Sequence, residues 1–312
     1  MPTLTIVSRD ASHYKALLED ACFSSLSICA FRNSELITEE GFETEILLAD
    51  PGLIIASIDK FKQLQWMQST WAGNAPLLQH KKHDYKLTGV KDIFGDYMRE
   101  FIFAYLLFFS RNISGFKEKQ AQKNWEPANF NQLKGKTLGL LGVGSIGRTV
   151  AQTAKHFGMQ VVGMARTPRE ADMNVDQYYT PAQKQAFAKT TDYLVSLLPD
   201  TPETKHFIDR DFLRYLKPEC VLINAGRGNT IKDEDLIAAL EEERIRAAVL
   251  DVFEQEPLQQ NHRYWSLENV FVTNHTAAIS YPEDISRIFC ENYRRFLKQE
   301  PLMYELSFEQ GY

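Results

Sequence analysis

The sequence predicts an α/β protein of two doubly wound units, each a parallel sheet covered by helices, and three observations carry that prediction. Its 312 residues are about twice a typical domain of about 150, long enough for two separate cores. From residue 137 onward, short apolar runs rich in β-branched residues alternate with amphipathic stretches, at 137–141, 161–164, 193–198, 221–224, 247–252 and 270–273. Strands apolar on both faces belong in a parallel sheet whose two surfaces are covered. The first 95 residues carry a less regular set, at 4–7, 46–49 and 65–67, interrupted by Pro51-Gly52 and Ala72-Gly73, which reads as the second unit.

The intervening helices follow from their stop signals. One is expected over 146–157, ending before Gly158; a second over 209–216, before Pro218; a third over 233–243, with acidic residues in its first turn. Between the units a single long helix is expected over 96–122, followed by the loop Asn124-Trp125-Glu126-Pro127. Its apolar stretch at 101–109 falls short of the roughly 20 residues that span a bilayer. The last helix, 282–298, places Ile285, Ile288, Phe289, Tyr293, Phe296 and Leu297 at helical spacing, with Arg287, Arg294, Arg295 and Lys298 on a solvated face.

Composition excludes several classes. Hydrophobic residues at 44% and charged residues at 24% are ordinary globular usage. A net charge of −6, with no Lys/Arg block longer than a pair, lacks the footprint of a nucleic-acid binder. Cys22, Cys29, Cys220 and Cys290 have no CxxC spacing, and the N-terminus has no basic and apolar leader, so a cytoplasmic protein with no membrane partner is expected. The GxxxxGK[ST], HExxH and GxSxG runs of P-loop enzymes, zincins and serine hydrolases do not occur. His80 and His83 stand three apart in a polar segment without a further ligand nearby, and a solvated loop is the expectation rather than a metal site.

Gly142-Val143-Gly144-Ser145-Ile146-Gly147 directly follows the strand at 137–141 and opens a helix. Glycines there allow a tight turn, close approach of backbone amides to a pyrophosphate, and tight helix–strand packing, so a Rossmann-type dinucleotide site is predicted. An NAD site would carry an acidic residue about 20 positions on. Here the second strand runs into Ala165-Arg166-Thr167-Pro168-Arg169. Arg166, Thr167 and Arg169 offer donors instead, which favours the 2′-phosphate of NADP(H) over NAD(H); a plain exposed basic loop is the alternative. Three further segments end later strands: Asn224-Ala225-Gly226-Arg227-Gly228, Asp251-Val252-Phe253-Glu254-Gln255-Glu256-Pro257, and Asn274-His275-Thr276. Together on one sheet edge, an arginine, a carboxylate and a histidine make an oxoanion clamp with an oriented acid/base.

The ordered set GVGSIG, LLPDTPET, NAGRG, DVFEQEP and NH, on to the terminal Gly311-Tyr312, resembles the D-2-hydroxyacid dehydrogenase family over nearly the whole chain, and within it the glyoxylate/hydroxypyruvate reductase A branch. The resemblance implies a nucleotide domain, 96–284, inserted into a flavodoxin-like substrate domain, 1–95 and 285–312, with the final helix returning to the N-terminal unit. It implies that Arg227 binds the substrate carboxylate and carbonyl, that His275 donates the proton, and that Glu256 pairs with His275. Gly142, Gly144, Ser145, Ile146, Gly147, Leu198 and Pro199 would bind the cofactor, the glycines at its pyrophosphate, with Asp251 and the backbone around Ala225 holding the nicotinamide carboxamide and Trp71, Ala72 and Gly73 the substrate. The expected activity is NADPH-dependent reduction of glyoxylate and hydroxypyruvate by a homodimer, with 101–109 as a candidate contact. A bulkier 2-oxo acid such as phenylpyruvate, or a nucleotide-sensing interaction protein on the same fold, are the alternatives. Two departures stand out: Trp71-Ala72-Gly73-Asn74-Ala75 replaces the family's Gly-Val-Asp-like run, and Asn274 stands where proline is usual.

Overall fold

The computed structural model describes residues 2–21 and 26–309; Cys22 and the terminal Gly311-Tyr312 lie outside them. The chain divides into two compact units, Met1–Ile93 with Ser280–Tyr312, and Phe94–Ile279. In chain order the first holds β1 (Thr3–Val7), α1 (Ala11–Asp20), β2 (Ser27–Phe31), α2 (Glu39–Phe42), β3 (Ile46–Ala49), α3 (Pro51–Ile54), β4 (Trp66–Ser69), α4 (Ala75–Leu78) and β5 (Lys86–Thr88). The second holds α5 (Phe94–Ser110), α6 (Ile113–Ala121), β6 (Thr137–Leu141), α7 (Ser145–His156), β7 (Gln160–Met164), β8 (Gln177–Tyr179), α8 (Lys184–Thr190), β9 (Tyr193–Ser196), α9 (Arg210–Leu213), β10 (Val221–Asn224), α10 (Asp233–Glu241), β11 (Ala247–Leu250) and β12 (Val270–Val272). The chain then returns to the first unit through α11 (Pro282–Leu297) and β13 (Glu305–Leu306).

The first unit's sheet has the order β13-β5-β4-β3-β1-β2, parallel except for β13, which pairs antiparallel to β5. Direction reverses between β1 and β3, the flavodoxin-like arrangement. A buried polar network closes this unit. Gln68, fully buried on β4, donates to Ser69 O at 2.9 Å and Gly89 O at 2.9 Å and accepts from Thr88 Oγ1 and Asn292 Nδ2. Asn292, on α11, accepts in turn from the Met303 amide at 2.7 Å. Because every buried polar group there has a partner, the network fixes where the returning segment docks.

The second unit's sheet is wholly parallel, β12-β11-β10-β9-β6-β7-β8. Alternate residues of each strand enter two cores: Leu138, Leu140, Val161, Val195, Val221 and Val249 face one, with α5 and α7, and Leu141, Val162, Leu194, Leu222 and Leu250 the other. Both faces are therefore covered, as the continuous apolar runs require.

Several expected boundaries move. The long helix expected over 96–122 is two helices. α5 ends at Ser110, and Asn112 turns the chain with φ 49° while its side chain accepts the Gly115 amide at 3.3 Å to cap α6. Asparagine tolerates that left-handed conformation and caps helices well, so a residue hidden in the periodicity breaks it. The helix expected over 209–216 shrinks to α9, capped by Asp209 through the Phe212 amide at 2.8 Å. β2, β5, β8 and β13 are additional to the strands that the sequence pattern predicts. His80 Nδ1 accepts from the Lys82 amide, and His83 stacks on Phe308 with centroids 4.4 Å apart. Among the described residues, no helix is long and apolar enough to cross a membrane.

Candidate active site

The second unit's switch point lies between β6 and β9, where β7 and β8 extend one way and β10 to β12 the other. Open α/β sheets bind ligands at that crevice. Gly142 turns out of β6 with φ 96°, and a Cβ there would sit 3.0 Å from Leu197 O. At Gly147 a Cβ would meet Gly142 O at 2.4 Å, so α7 packs onto the strand only with glycine. Gly144 differs: a Cβ on it would meet nothing within 4 Å, and it starts α7 without a side-chain cap. Open space beside an uncapped helix N-terminus fits a pyrophosphate. Ser145 is exposed and Ile146 half-buried on the first turn. Arg166, Thr167 and Arg169 are all exposed just past β7. Arg148 pairs with Asp172 across 3.8 Å. Leu198 is half-buried and Pro199 exposed after β9, and buried Ala225 follows β10.

Arg227 stands on the turn after β10. Buried Asn224 braces that turn, donating to Arg227 O at 3.1 Å and accepting from the Gly226 amide at 3.3 Å, while Thr230 Oγ1 also donates to Arg227 O at 2.6 Å. Glycine flanks the arginine for steric reasons: a Cβ on Gly228 would lie 1.8 Å from Phe253 C, and one on Gly226 2.8 Å from Leu198 N. The guanidinium is half-buried, with Nη1 donating to Gly226 O at 2.8 Å.

His275 follows β12 with φ 59°, a conformation that costs a non-glycine residue about 1–3 kcal/mol and persists only where surroundings enforce it. Asp251, 2% exposed at the end of β11, enforces it. Its backbone carbonyl accepts the His275 amide at 2.8 Å. Its carboxylate accepts from Thr273 Oγ1 at 2.6 Å, the Thr276 amide at 2.8 Å and the Ala277 amide at 3.0 Å. Burial, then the Asp251 charge, pushes the nearby Tyr105 phenol above its ordinary range.

The imidazole meets Glu256: Nδ1 lies 2.8 Å from Oε2, while Oε1 accepts the Phe253 amide at 3.0 Å. An ionised carboxylate only accepts, so Nδ1 carries the hydrogen and Nε2 is left to exchange a proton. Arg227, Glu256 and His275 line one cleft of about 250 Å³ together with Asp200, Asn229 and Glu254. The last three escaped the sequence reading, although Asp200 and Glu254 sit inside motifs it singled out. Nothing in spacing shows that these side chains turn into the cleft.

The substrate segment proposed from the first unit belongs to the loop after β4. Trp71 is 46% exposed, its indole lying against Gly52, where a Cβ would come within 3.1 Å of the ring. Its amide donates to Ser69 Oγ at 3.0 Å. Ala72 and Gly73 are exposed, and buried Asn74 donates to Trp71 O and Ala72 O. Asp50, at that unit's own switch point, accepts from Thr70 Oγ1 at 2.5 Å and Ser8 Oγ at 3.1 Å.

A glycine turn at the switch point of a fully parallel seven-stranded sheet defines a dinucleotide-binding α/β protein, here with an arginine and a histidine–carboxylate pair on the same edge. Residues 103–277 match the family model described as D-isomer specific 2-hydroxyacid dehydrogenase, NAD binding domain. The chain belongs to the D-isomer specific 2-hydroxyacid dehydrogenase family. It is 37% identical over 186 residues to a glyoxylate/hydroxypyruvate reductase A of Serratia proteamaculans, a match spanning 60% of this chain and only 59% of that relative's length. A crystal structure of a D-isomer specific 2-hydroxyacid dehydrogenase family protein from Aeromonas salmonicida is 40% identical, covers 98% of this chain and 99% of its own, and superposes with a TM-score of 0.92. Another, from Xanthobacter autotrophicus Py2 in complex with NADPH and MES, is 26% identical, with a TM-score of 0.84 over 100% of this chain and 99% of its own.

Proposed function

We propose that this protein reduces small 2-oxo acids with NADPH, glyoxylate to glycolate and hydroxypyruvate to D-glycerate. The observation that carries the reading is the 2.8 Å contact between His275 Nδ1 and Glu256 in the cleft that also holds Arg227. When bound, the reduced nicotinamide supplies hydride to the carbonyl carbon. His275 Nε2 then gives its proton to the carbonyl oxygen, and Glu256 stabilises the charged ring and keeps it aimed. Arg227 holds the substrate carboxylate and offsets the charge developing on oxygen.

The turn at Gly142, Gly144 and Gly147, with Ser145 and Ile146, takes the pyrophosphate; Leu198, Pro199, Ala225 and Asp251 take the nicotinamide end. Arg166, Thr167 and Arg169 favour the 2′-phosphate of NADP(H), since no carboxylate follows β7 within that run. Trp71, Ala72 and Gly73 complete the proposed substrate contacts. Supporting the substrate class, the curated relative named above is a glyoxylate/hydroxypyruvate reductase A.

The unpaired thiols of Cys29, Cys220 and Cys290 fit a cytoplasmic setting. A homodimer completes the reading. Much of 101–109 packs into the second unit's own core, so exposed Ile113, Phe116 and Trp125 are the better candidate surface; a monomer in sedimentation at micromolar concentration would remove it.

Steady-state assays with glyoxylate and NADPH test the activity. His275→Ala should lower kcat by roughly 10²–10⁴ with NADPH binding nearly intact. Absence of turnover in the unsubstituted protein, or near-normal turnover in the variant, would refute the assignment.

A further inference from the structure

The cleft that holds Arg227 and His275 is lined by more negative than positive charge. Besides Glu256, which partners the imidazole, Asp200 and Glu254 border the same space. Each is held by a neighbour. Asn229 Nδ2 donates to Asp200 Oδ1, and Glu254 Oε1 lies 3.7 Å from His206 Nε2. The two anchors are themselves joined, because the His206 amide donates to Asn229 O at 2.8 Å. His206 takes φ 51° at that point. Asp200 is thus held by a hydrogen bond, and half-exposed Glu254 by the longer ion-pair contact.

Three carboxylates, one of them the partner of His275, border a cleft with a single guanidinium, an unusual lining for a site that takes an anion. One anionic group finds Arg227. A second meets Asp200 and Glu254, because the other group in the lining that can carry positive charge, His275, is already partnered by Glu256. We propose that Asp200 and Glu254 act as a charge filter, admitting 2-oxo acids with one carboxylate and a neutral side group and rejecting 2-oxo dicarboxylates. The proposal rests on the 2-oxo acid reading above and refines it. Selectivity of this kind comes from repulsion aimed at the wrong ligand, not from better contacts to the right one. Like charges about 6 Å apart at an effective dielectric of about 20–40 lose roughly tenfold to a hundredfold in affinity. Because both carboxylates reach solvent, added salt weakens the effect.

The test is binding to the NADPH-loaded protein, followed by the fluorescence of the bound nucleotide. The ligands are D-glycerate and tartronate, two hydroxy acids that cannot be reduced and that differ in a neutral hydroxymethyl against a second carboxylate. The unsubstituted protein should bind D-glycerate at least about tenfold more tightly at about 50 mM salt. In the Asp200→Asn, Glu254→Gln double variant that ratio should fall about tenfold, and the difference between the proteins should shrink at about 500 mM salt. A merely structural role would move both ligands together and show no such salt dependence. A ratio near one in the unsubstituted protein, an unchanged ratio in the double variant, or no binding of either acid overturns the filter. Turnover of hydroxypyruvate is read separately: its absence refutes the reductase reading, whereas the binding ratio judges the filter alone.

Discussion

Asp251 is the residue whose replacement tests the architecture of the site most directly. Replacing it with alanine removes the acceptor for Thr273 Oγ1 and for the amides of Thr276 and Ala277. Thr276 is exposed, so water can take over its amide; Ala277 is buried and Thr273 half-buried. Two donors then lose a charged acceptor, at about 1.5–3 kcal/mol each, and the net cost should be about 3 kcal/mol or more. For a unit of this size each kcal/mol lowers Tm by about 2–4 °C, so a fall of about 6–12 °C is expected by circular dichroism. Asparagine keeps the shape but not the chemistry. Its amide nitrogen would face a backbone N–H, and Asp251→Asn should lose most of the same stability. Because the loop carries His275 in a left-handed conformation, loosening it should also cut kcat by about tenfold to a hundredfold. Tm within about 2 °C of the parent for Asp251→Asn would refute the reasoning. If the residue's main role were instead to hold the nicotinamide, the Michaelis constant for NADPH would rise with Tm unmoved.

Two further substitutions address ligand recognition. Arg227→Lys keeps the charge but loses the planar pair of donors, so kcat/KM for glyoxylate should fall roughly tenfold to a hundredfold; an unchanged value would move the carboxylate site elsewhere. Arg166→Ala should weaken NADPH by roughly tenfold to a hundredfold and NADH much less, with the difference narrowing at high salt. Equal weakening of both cofactors would show that Arg166 does not read the 2′-phosphate.

The parts of this molecule legible in its sequence are those dictated by local sterics and periodicity. Gly142 and Gly147 had to be glycine for reasons of space that any strand-to-helix turn of this kind imposes, and the doubly apolar strands announced a covered parallel sheet. Asn112 went unread because a helical period on both sides masks one residue in a left-handed turn. β5 and β13 are short strands of three and two residues, too brief to show an alternation. At the site, Arg227, Glu256 and His275 stand out because each lies in a segment that ends a strand on one edge of the parallel sheet, and the family resemblance supplies their roles. Asp251 was expected at the cofactor, yet its carboxylate also organises the loop of His275, a contact made by backbone amides 25 and 26 residues away. Asp200 and Glu254 needed side-chain directions, which spacing does not encode.

The network joining Gln68 to Asn292 and Met303 has a consequence for biosynthesis. The second unit is one continuous stretch of chain, whereas the first is assembled from both ends. On a ribosome adding about 5–20 residues per second, the roughly 200 residues separating β5 from β13 take about 10–40 s to appear. During that interval β5 is an edge without its neighbour, and Gln68 lacks the amide that later donates to it. All residues of the second unit, 94–279, are synthesised within that interval. A chain ended between residues 279 and 292 therefore carries the whole second unit but lacks Asn292, Met303 and β13, the pieces that complete the first.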